Sequence, residues 1–228
     1  MNIKTIIVTL ATATLLLGCG ATMEKKTNKK PSSDLPKVLI IGDSISINYT
    51  PIVHKNLAGK AIVYRNPQNA RDSANGLAYL DSWLGDEDWA VIHFNHGLHD
   101  LIKGYRTTYD KYKKTNDGRR MVELADYKTN LEKIVQRLQQ TNAKLVFATT
   151  TPVPEGNGMR NVEDVLKYNK VAIEVMNKYQ VPVNDLYTLA KTYQKTWQLP
   201  KANVHFKPIG SQGLGKQVTN EIEKLLPQ

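Results

Sequence analysis

The sequence predicts an α/β domain in which a mainly parallel five-stranded sheet carries helices on both faces. Short apolar runs alternate along the chain with stretches whose apolar residues recur at helical spacing. The apolar runs are continuous rather than alternating, which is typical of strands buried on both faces. Strand–helix alternation of this kind favours parallel pairing. In such sheets the ligand crevice lies beyond the carboxyl ends of the strands, so the residues that follow each strand are the ones to examine.

The predicted strands are five short segments, and the last is predicted to be an edge because it contains Pro182. They are residues 38–41, 61–64, 89–94, 144–149 and 181–183. Four apolar stripes predict the main helices. These stripes are Leu77, Leu80, Trp83 and Leu84; Leu131, Ile134, Val135 and Leu138; Val162, Val165, Leu166, Ala172, Val175, Met176 and Tyr179; and Leu214, Val218, Ile222 and Leu225.

The composition is that of a globular protein with a basic surface. The 228 residues give a net charge of +10, which could attract nucleic acid, an anionic lipid or an acidic polysaccharide. The basic residues are scattered over several segments, without a basic stripe interleaved with aromatic residues. The sequence therefore predicts no nucleic-acid partner.

The N-terminus resembles a bacterial lipoprotein signal. A basic start is followed by an apolar run that is too short to span a bilayer, and then by "LLGC", which ends at Cys19. The prediction is a signal peptide over residues 1–18, lipidation of Cys19 and a Lys-rich flexible tether over 19–36, ahead of a domain over 37–228. Ordinary cleavage that leaves a free thiol is the alternative. The predicted location is the cell envelope, at the outer membrane if the cell is Gram-negative, with the membrane as a partner through the anchor.

The first predicted strand is followed by "GDS", residues 42–44. Gly42 permits a sharp turn, and Ser44 is predicted to lie at the crevice near the start of a helix. Asp43 or Ser44 could cap that helix. Ser44 could instead be a nucleophile, provided that a base lies within hydrogen-bond reach.

Polar clusters also follow three of the other strands, and one more comes just before the last helix. They are residues 65–73, the segment "NHGLHD" at 95–100, the loop 149–156 with Thr151, and the segment 203–210 with His205. A His-rich cluster could bind zinc, but no cysteine or His-x-x-x-His helix accompanies this one, so no metal is predicted. Donors to a developing oxyanion suit these side chains better.

In this order and at this approximate spacing, the clusters resemble the blocks of the SGNH hydrolases, also called the GDSL esterase/lipase family, over nearly all of residues 37–228. The resemblance implies a three-layer α/β/α flavodoxin-like domain that hydrolyses acyl esters without a metal or organic cofactor. It implies Ser44 as nucleophile and His205 as base. The implied oxyanion donors are the N–H of Ser44, a backbone N–H at Asn69 to Arg71, and a side chain of the third block.

Two positions depart from the family pattern. His99 stands where the third block of the family has Asn, so either His99 or Asn95 is expected to be the donor. Ala202 stands where the family has Asp, three residues before the His. Asn203 could orient the imidazole, although without the charge of a carboxylate. An Asp or Glu from elsewhere, a Ser-His dyad, or loss of activity are the alternatives.

Further residues are expected to contact substrate, namely Asp43, His96, Asp100 and Thr151. "FNHGLHDL" and "TTTPVPEGN" resemble a bacterial branch with carbohydrate-ester substrates. The sequence thus predicts an esterase that removes O-acetyl or other short acyl groups, acting on an acylated carbohydrate or another small ester. A non-catalytic carbohydrate-binding lipoprotein and a lipase for longer-chain lipid esters are the alternatives. The polar insertion 103–126 is predicted to contact a glycan or to be a solvated excursion.

Overall fold

The computed structural model of the chain describes residues 35–108 and 111–227. The predicted signal peptide, Cys19 and nearly all of the tether lie outside these residues. Among the helices that are described, none is both long and apolar enough to cross a membrane.

The predicted parallel sheet is confirmed. Five strands lie in the order β2-β1-β3-β6-β7, and every neighbouring pair is parallel. Their bounds are β1 Lys37–Ile41, β2 Ile62–Arg65, β3 Trp89–Phe94, β6 Lys144–Ala148 and β7 Val183–Asn184. The last strand is an edge, as Pro182 predicted.

The strand order explains where the site lies. The chain moves from β1 to β2 on one side and then back past β1 to β3. Because parallel crossovers are right-handed, this reversal places the helix after β1 on one face and the helices after β2, β3 and β6 on the other. The crevice of such a sheet opens at the point of reversal, which here is the carboxyl ends of β1 and β3.

The helices pack as two layers. On one face α1 (Ser44–Asn56) packs against α7 (Pro208–Glu223), and on the other α2 (Ser73–Leu84), α3 (Leu124–Gln139) and α4 (Asp164–Lys178) lie side by side. The apolar face predicted for the third helix stripe, which became α4, was wrong in part. Leu166 is 54% exposed, and Val162 precedes α4. The buried face of α4 instead runs through Val165, Tyr168, Ala172, Val175 and Met176.

Three elements were not predicted. Two are the short helices α5 (Leu186–Thr192) and α6 (Gln194–Trp197). The third is a two-stranded antiparallel hairpin, β4 (Tyr105–Thr108) and β5 (Lys111–Lys113), inside the polar insertion. The base of the hairpin is fixed to the domain, because the Lys103 N–H donates to the Met159 carbonyl at 2.8 Å and a buried ion pair joins Arg120 to Asp164.

Candidate active site

The turn after β1 leaves Ser44 free of a capping role. The side chain of Asp43 caps α1 by accepting the Ile45 N–H at 2.9 Å, and Ser44 is the first helical residue. Gly42 is required for close packing rather than for a left-handed turn, because a Cβ there would lie 2.9 Å from the Cβ of Ser46. The Ser44 N–H belongs to the first turn of the helix, whose N–H groups lack partners within the helix. Ser44 thus presents both a hydroxyl and an N–H at the crevice.

His205 reaches Ser44 from the loop before α7. Its Nε2 lies 2.8 Å from Ser44 Oγ, although the two residues are 161 positions apart. Its Nδ1 lies 2.8 Å from Asn203 Oδ1, which also accepts the backbone N–H of His205 at 3.0 Å. With Nδ1–H donating to Asn203, Nε2 carries the lone pair that can accept the Ser44 proton. The three residues form a continuous chain of hydrogen bonds.

The surroundings keep His205 neutral at neutral pH. Burial lowers the pKa of its imidazole below the usual value, and the charge of Arg160 acts in the same direction. The carboxylate of Asp43 opposes them. A neutral imidazole is the form that can accept a proton from a serine hydroxyl.

A pocket of about 640 Å³ opens in front of this pair, which is an ordinary size for a small-molecule site. Its wall combines apolar and polar side chains. The lining residues include Ile47, Leu98, Ile102, Met159 and Val204 on the apolar side, and Ser44, Asn69, His99, Tyr112, Arg160 and His205 on the polar side.

Of the two side chains expected at the oxyanion position, the structure brings His99 to the pocket. His99 lies on the pocket wall, and its Nδ1 is 2.7 Å from the Tyr112 hydroxyl. Burial, with the nearby charges of Arg160 and Arg71, lowers the pKa of His99 to about 3, so its ring is neutral. Asn95 instead donates its Nδ2 to the Ala148 carbonyl at 2.7 Å and lines a small cavity of about 10 Å³ beneath the site.

The second block presents Asn69 to the pocket rather than Arg71. The N–H of Ala70 is donated to the Gly42 carbonyl, and that of Arg71 to the side chain of Asn69. Asn69 lies on the pocket wall, and none of the described residues accepts its N–H. Arg71 adopts a positive φ of 58° and lines a separate depression beside α2.

Three of the four expected substrate contacts lie outside the pocket. The ring of His96 is buried against Gly76, with Nδ1 3.3 Å from the Arg71 carbonyl. Asp100 is fully buried and accepts the Ser73 N–H at 2.9 Å. Thr151 is buried and lines the small cavity beneath the site. Asp43 does reach the pocket wall, beside its role as the cap of α1.

Two pocket residues were missed by the sequence reasoning. Arg160 lies in the loop after β6, where its Nε donates to the Leu98 carbonyl. Tyr112 lies on the hairpin strand β5 and contacts His99. Neither belongs to a recognisable motif, and the one available signal was that both segments follow strands that open onto the crevice. The described part of the chain holds no group of three His, Cys, Asp or Glu side chains that could bind a metal ion.

Solved structures that resemble this fold include esterases and acylhydrolases. A lipase/acylhydrolase from Enterococcus faecalis is 22% identical, with a TM-score of 0.70 over 85% of this chain and 98% of its own. An acetylxylan esterase from Geobacillus stearothermophilus is 17% identical, with a TM-score of 0.66 over 82% and 94%. A putative acylhydrolase from Bacteroides fragilis is 16% identical, with a TM-score of 0.65 over 87% and 91%. These likenesses confirm the predicted fold. No curated protein matches the sequence.

A family match comes from the second half of the chain. Residues 115–212 match the sequence pattern of the GDSL-like lipase/acylhydrolase family, a span that includes Asn203 and His205 and that begins after Ser44. Ser44 itself follows β1 in a Gly-Asp-Ser turn and contacts that same His205. Residues 115–212 therefore resemble the GDSL-like lipase/acylhydrolase family, and the domain has the fold of solved esterases and acylhydrolases.

Proposed function

We propose that this protein is a serine esterase that removes O-acetyl or other short acyl groups from a carbohydrate. The observation that carries the proposal is the hydrogen-bonded chain Ser44–His205–Asn203, whose first two members line the pocket. Two of the structural neighbours are named as acetylxylan esterases, which supports an acylated carbohydrate as the substrate class.

The reaction proceeds in two acyl-transfer steps. Ser44 Oγ attacks the ester carbonyl while His205 Nε2 takes its proton, and the protonated imidazole then donates that proton to the departing alcohol oxygen. Water, deprotonated by the same nitrogen, attacks the acyl-serine and releases the acid. Asn203 holds Nδ1–H throughout, which keeps Nε2 directed at Ser44.

Three N–H donors stabilise the oxyanion of each tetrahedral intermediate. They are the backbone N–H groups of Ser44 and Asn69 and the Nε2–H of His99. His99 presents Nε2–H when the Tyr112 hydroxyl donates to its Nδ1, and its pKa of about 3 keeps that tautomer neutral over the working pH range. A histidine thereby supplies the side-chain donor that the family obtains from asparagine.

The test is hydrolysis of a small aryl acetate by the fragment from residue 20 onward. The parent fragment should release acetate, and Ser44→Ala should lower the rate to the background of buffer alone. Equal rates for the two proteins would exclude the esterase. A series of esters from acetate to decanoate separates a short-acyl esterase, whose kcat/KM falls with chain length, from a lipase, whose kcat/KM rises.

We also propose that the protein is exported and attached to the cell envelope by lipid at Cys19, as "LLGC" indicates. Growth with a radiolabelled or alkyne-tagged fatty acid should label the full chain, whereas Cys19→Ala should be unlabelled. Labelling that persists in the variant would contradict the anchor.

A further inference from the structure

Arg160 places a positive charge on the wall of the pocket. No carboxylate among the described residues lies within ion-pair distance of its guanidinium. One N–H, from Nε, is bonded to the Leu98 carbonyl, which fixes the plane of the guanidinium. An arginine carries five N–H donors, so the Nη groups remain for another acceptor.

A half-buried charge of this kind calls for an anion. Removing a cation from water is costly unless a partner replaces the lost hydration, so charges inside proteins are normally paired. The charged side chain that shares the pocket wall, Asp43, is already bonded to the Ile45 N–H and makes no ion pair with Arg160. Since none of the described carboxylates pairs with Arg160, the molecule that fills the pocket can supply the anion.

The chemistry of the guanidinium indicates what that partner is. Its planar fork matches the two oxygens of a carboxylate, and such bidentate bonds are shorter and stronger than neutral ones. The acyl group removed under the proposed function is short and uncharged, so the anion must belong to the alcohol part of the ester. On a carbohydrate, a carboxylate of this kind is that of a uronic acid or another acidic sugar.

We propose that Arg160 forms an anion subsite that selects acyl esters of carboxylate-bearing sugars over those of neutral sugars. This inference rests on the proposed esterase function and adds the charge of the substrate to it. The net charge of +10 is consistent with it, because a basic protein attracts an acidic glycan.

The experiment compares two substrates that differ in one group. These are a mono-O-acetylated methyl glucuronoside and the methyl glucoside acetylated at the same position, which carry a carboxylate and a hydroxymethyl group, respectively. The parent should favour the glucuronoside in kcat/KM by about tenfold or more, the usual effect of one hydrogen bond to a charged group. Arg160→Gln should bring this ratio close to one. Arg160→Lys, which keeps the charge without the fork, should give a ratio between the two.

The control is Arg137→Gln, which removes one positive charge from an exposed position on α3, where Arg137 pairs with Asp81. It should keep the parent ratio. The proposal is overturned if the parent shows no preference or if Arg160→Gln retains it. It is also overturned if, on the pH-independent plateau above the pKa of His205, Arg160→Gln lowers kcat for both esters equally, since Arg160 would then act on the reacting atoms.

A binding measurement separates this inference from the esterase proposal. In Ser44→Ala, titration calorimetry with the same two unhydrolysed esters should show tighter binding of the glucuronoside, and Ser44→Ala/Arg160→Gln should lose that difference. If this binding preference is found but the parent protein hydrolyses neither ester, the anion subsite stands and the esterase proposal fails. Hydrolysis by the parent without any difference in binding would remove the subsite and leave the esterase.

Discussion

Asn203 and His205 are joined by two hydrogen bonds that share one acceptor. Asn203 Oδ1 accepts the backbone N–H of His205 at 3.0 Å and its Nδ1–H at 2.8 Å. The first bond fixes which end of the amide faces the ring, because an NH₂ group in that place would oppose a backbone N–H. An amide in place of a carboxylate can disable a catalytic histidine by selecting the wrong tautomer. Here the bond from the His205 backbone N–H holds the amide oxygen towards the ring, which prevents selection of the wrong tautomer. Asn203 can therefore orient the imidazole although Ala202 stands where the family pattern has Asp.

If Asn203 orients the imidazole, its removal should reduce catalysis without preventing folding. Asn203→Ala is expected to lower kcat/KM for an aryl acetate by about 10²-fold, within the range attributed to a positioned general base. Asn203→Asp should retain activity and move the acid limb of the pH–rate profile to higher pH, since a carboxylate stabilises the imidazolium. Steady-state kinetics between pH 4 and pH 8 would measure both effects. Full activity in Asn203→Ala would show that a Ser-His dyad suffices.

The charge of Asp43 should control the pH at which the enzyme becomes inactive in acid. Activity requires neutral His205, so kcat/KM should fall as the pH drops through a pKa that lies below 6.5. Asp43 raises that pKa, so Asp43→Asn should shift the acid limb to lower pH while still capping α1. Asp72→Asn is the matched control, because Asp72 caps α2 in the same way and does not line the pocket. An unchanged limb in Asp43→Asn would mean that Asp43 is protonated in the folded enzyme.

His99 should act on the transition state rather than on substrate binding. His99→Ala is expected to lower kcat by about 10²-fold with little change in KM, as for the loss of one oxyanion donor. His99→Asn, which restores the residue of the family pattern, should recover much of this loss. Tyr112→Phe should cause a smaller loss, since it removes only the group that fixes the His99 tautomer. A rise in KM with constant kcat in His99→Ala would assign His99 to ground-state binding instead.

The sheet was predictable because its inner strands β1, β3 and β6 are short apolar runs that lie between neighbouring strands and are almost wholly buried. The Ser44–His205 pair was predictable only through the order of the blocks, since a lone Ser after a strand looks like a helix cap. Asp43 makes that cap, and this leaves Ser44 free. The Gly-x-x-Asp block at residues 97–100 led to the wrong prediction that Asp100 contacts substrate. A carboxylate at a strand end can face either the crevice or the next helix, and Asp100 faces the start of α2.

The hairpin side of the pocket could not be predicted, for a physical reason. Tyr112 reaches the site from the hairpin and Arg160 from a loop. The path of both segments depends on tertiary contacts, such as those of Lys103 with Met159 and of Arg120 with Asp164. No local periodicity encodes such a path. The resemblance therefore indicated the residues that we propose to act on the acyl group, whereas Tyr112 and Arg160 were found only in the structure.

Gly76 should be intolerant of a side chain although it lies within a helix. A Cβ there would lie 2.3 Å from Cε1 of the buried His96. Gly76→Ala is therefore expected to destabilise the protein by about 1–3 kcal/mol, despite the better helix propensity of Ala. Gly158→Ala is the control, because open space surrounds that position and its φ is not in the left-handed region. Thermal unfolding should show a lower Tm for Gly76→Ala alone, and equal Tm values for the two variants would contradict the packing of His96.

Asp100 should make the stability of the fold depend on pH. Burial raises the pKa of its carboxyl to about 8, far above the value of about 4 expected in the unfolded chain. Between these two values the folded state binds a proton that the unfolded state has released, so stability should fall as the pH rises from 4 to 8. Asp100→Asn keeps an acceptor for the Ser73 N–H and has no proton to lose. The variant should unfold at a higher Tm than the parent at pH 8, and this advantage should disappear at pH 4. An advantage of equal size at both pH values would show that burial of the Asp100 charge is not its cause.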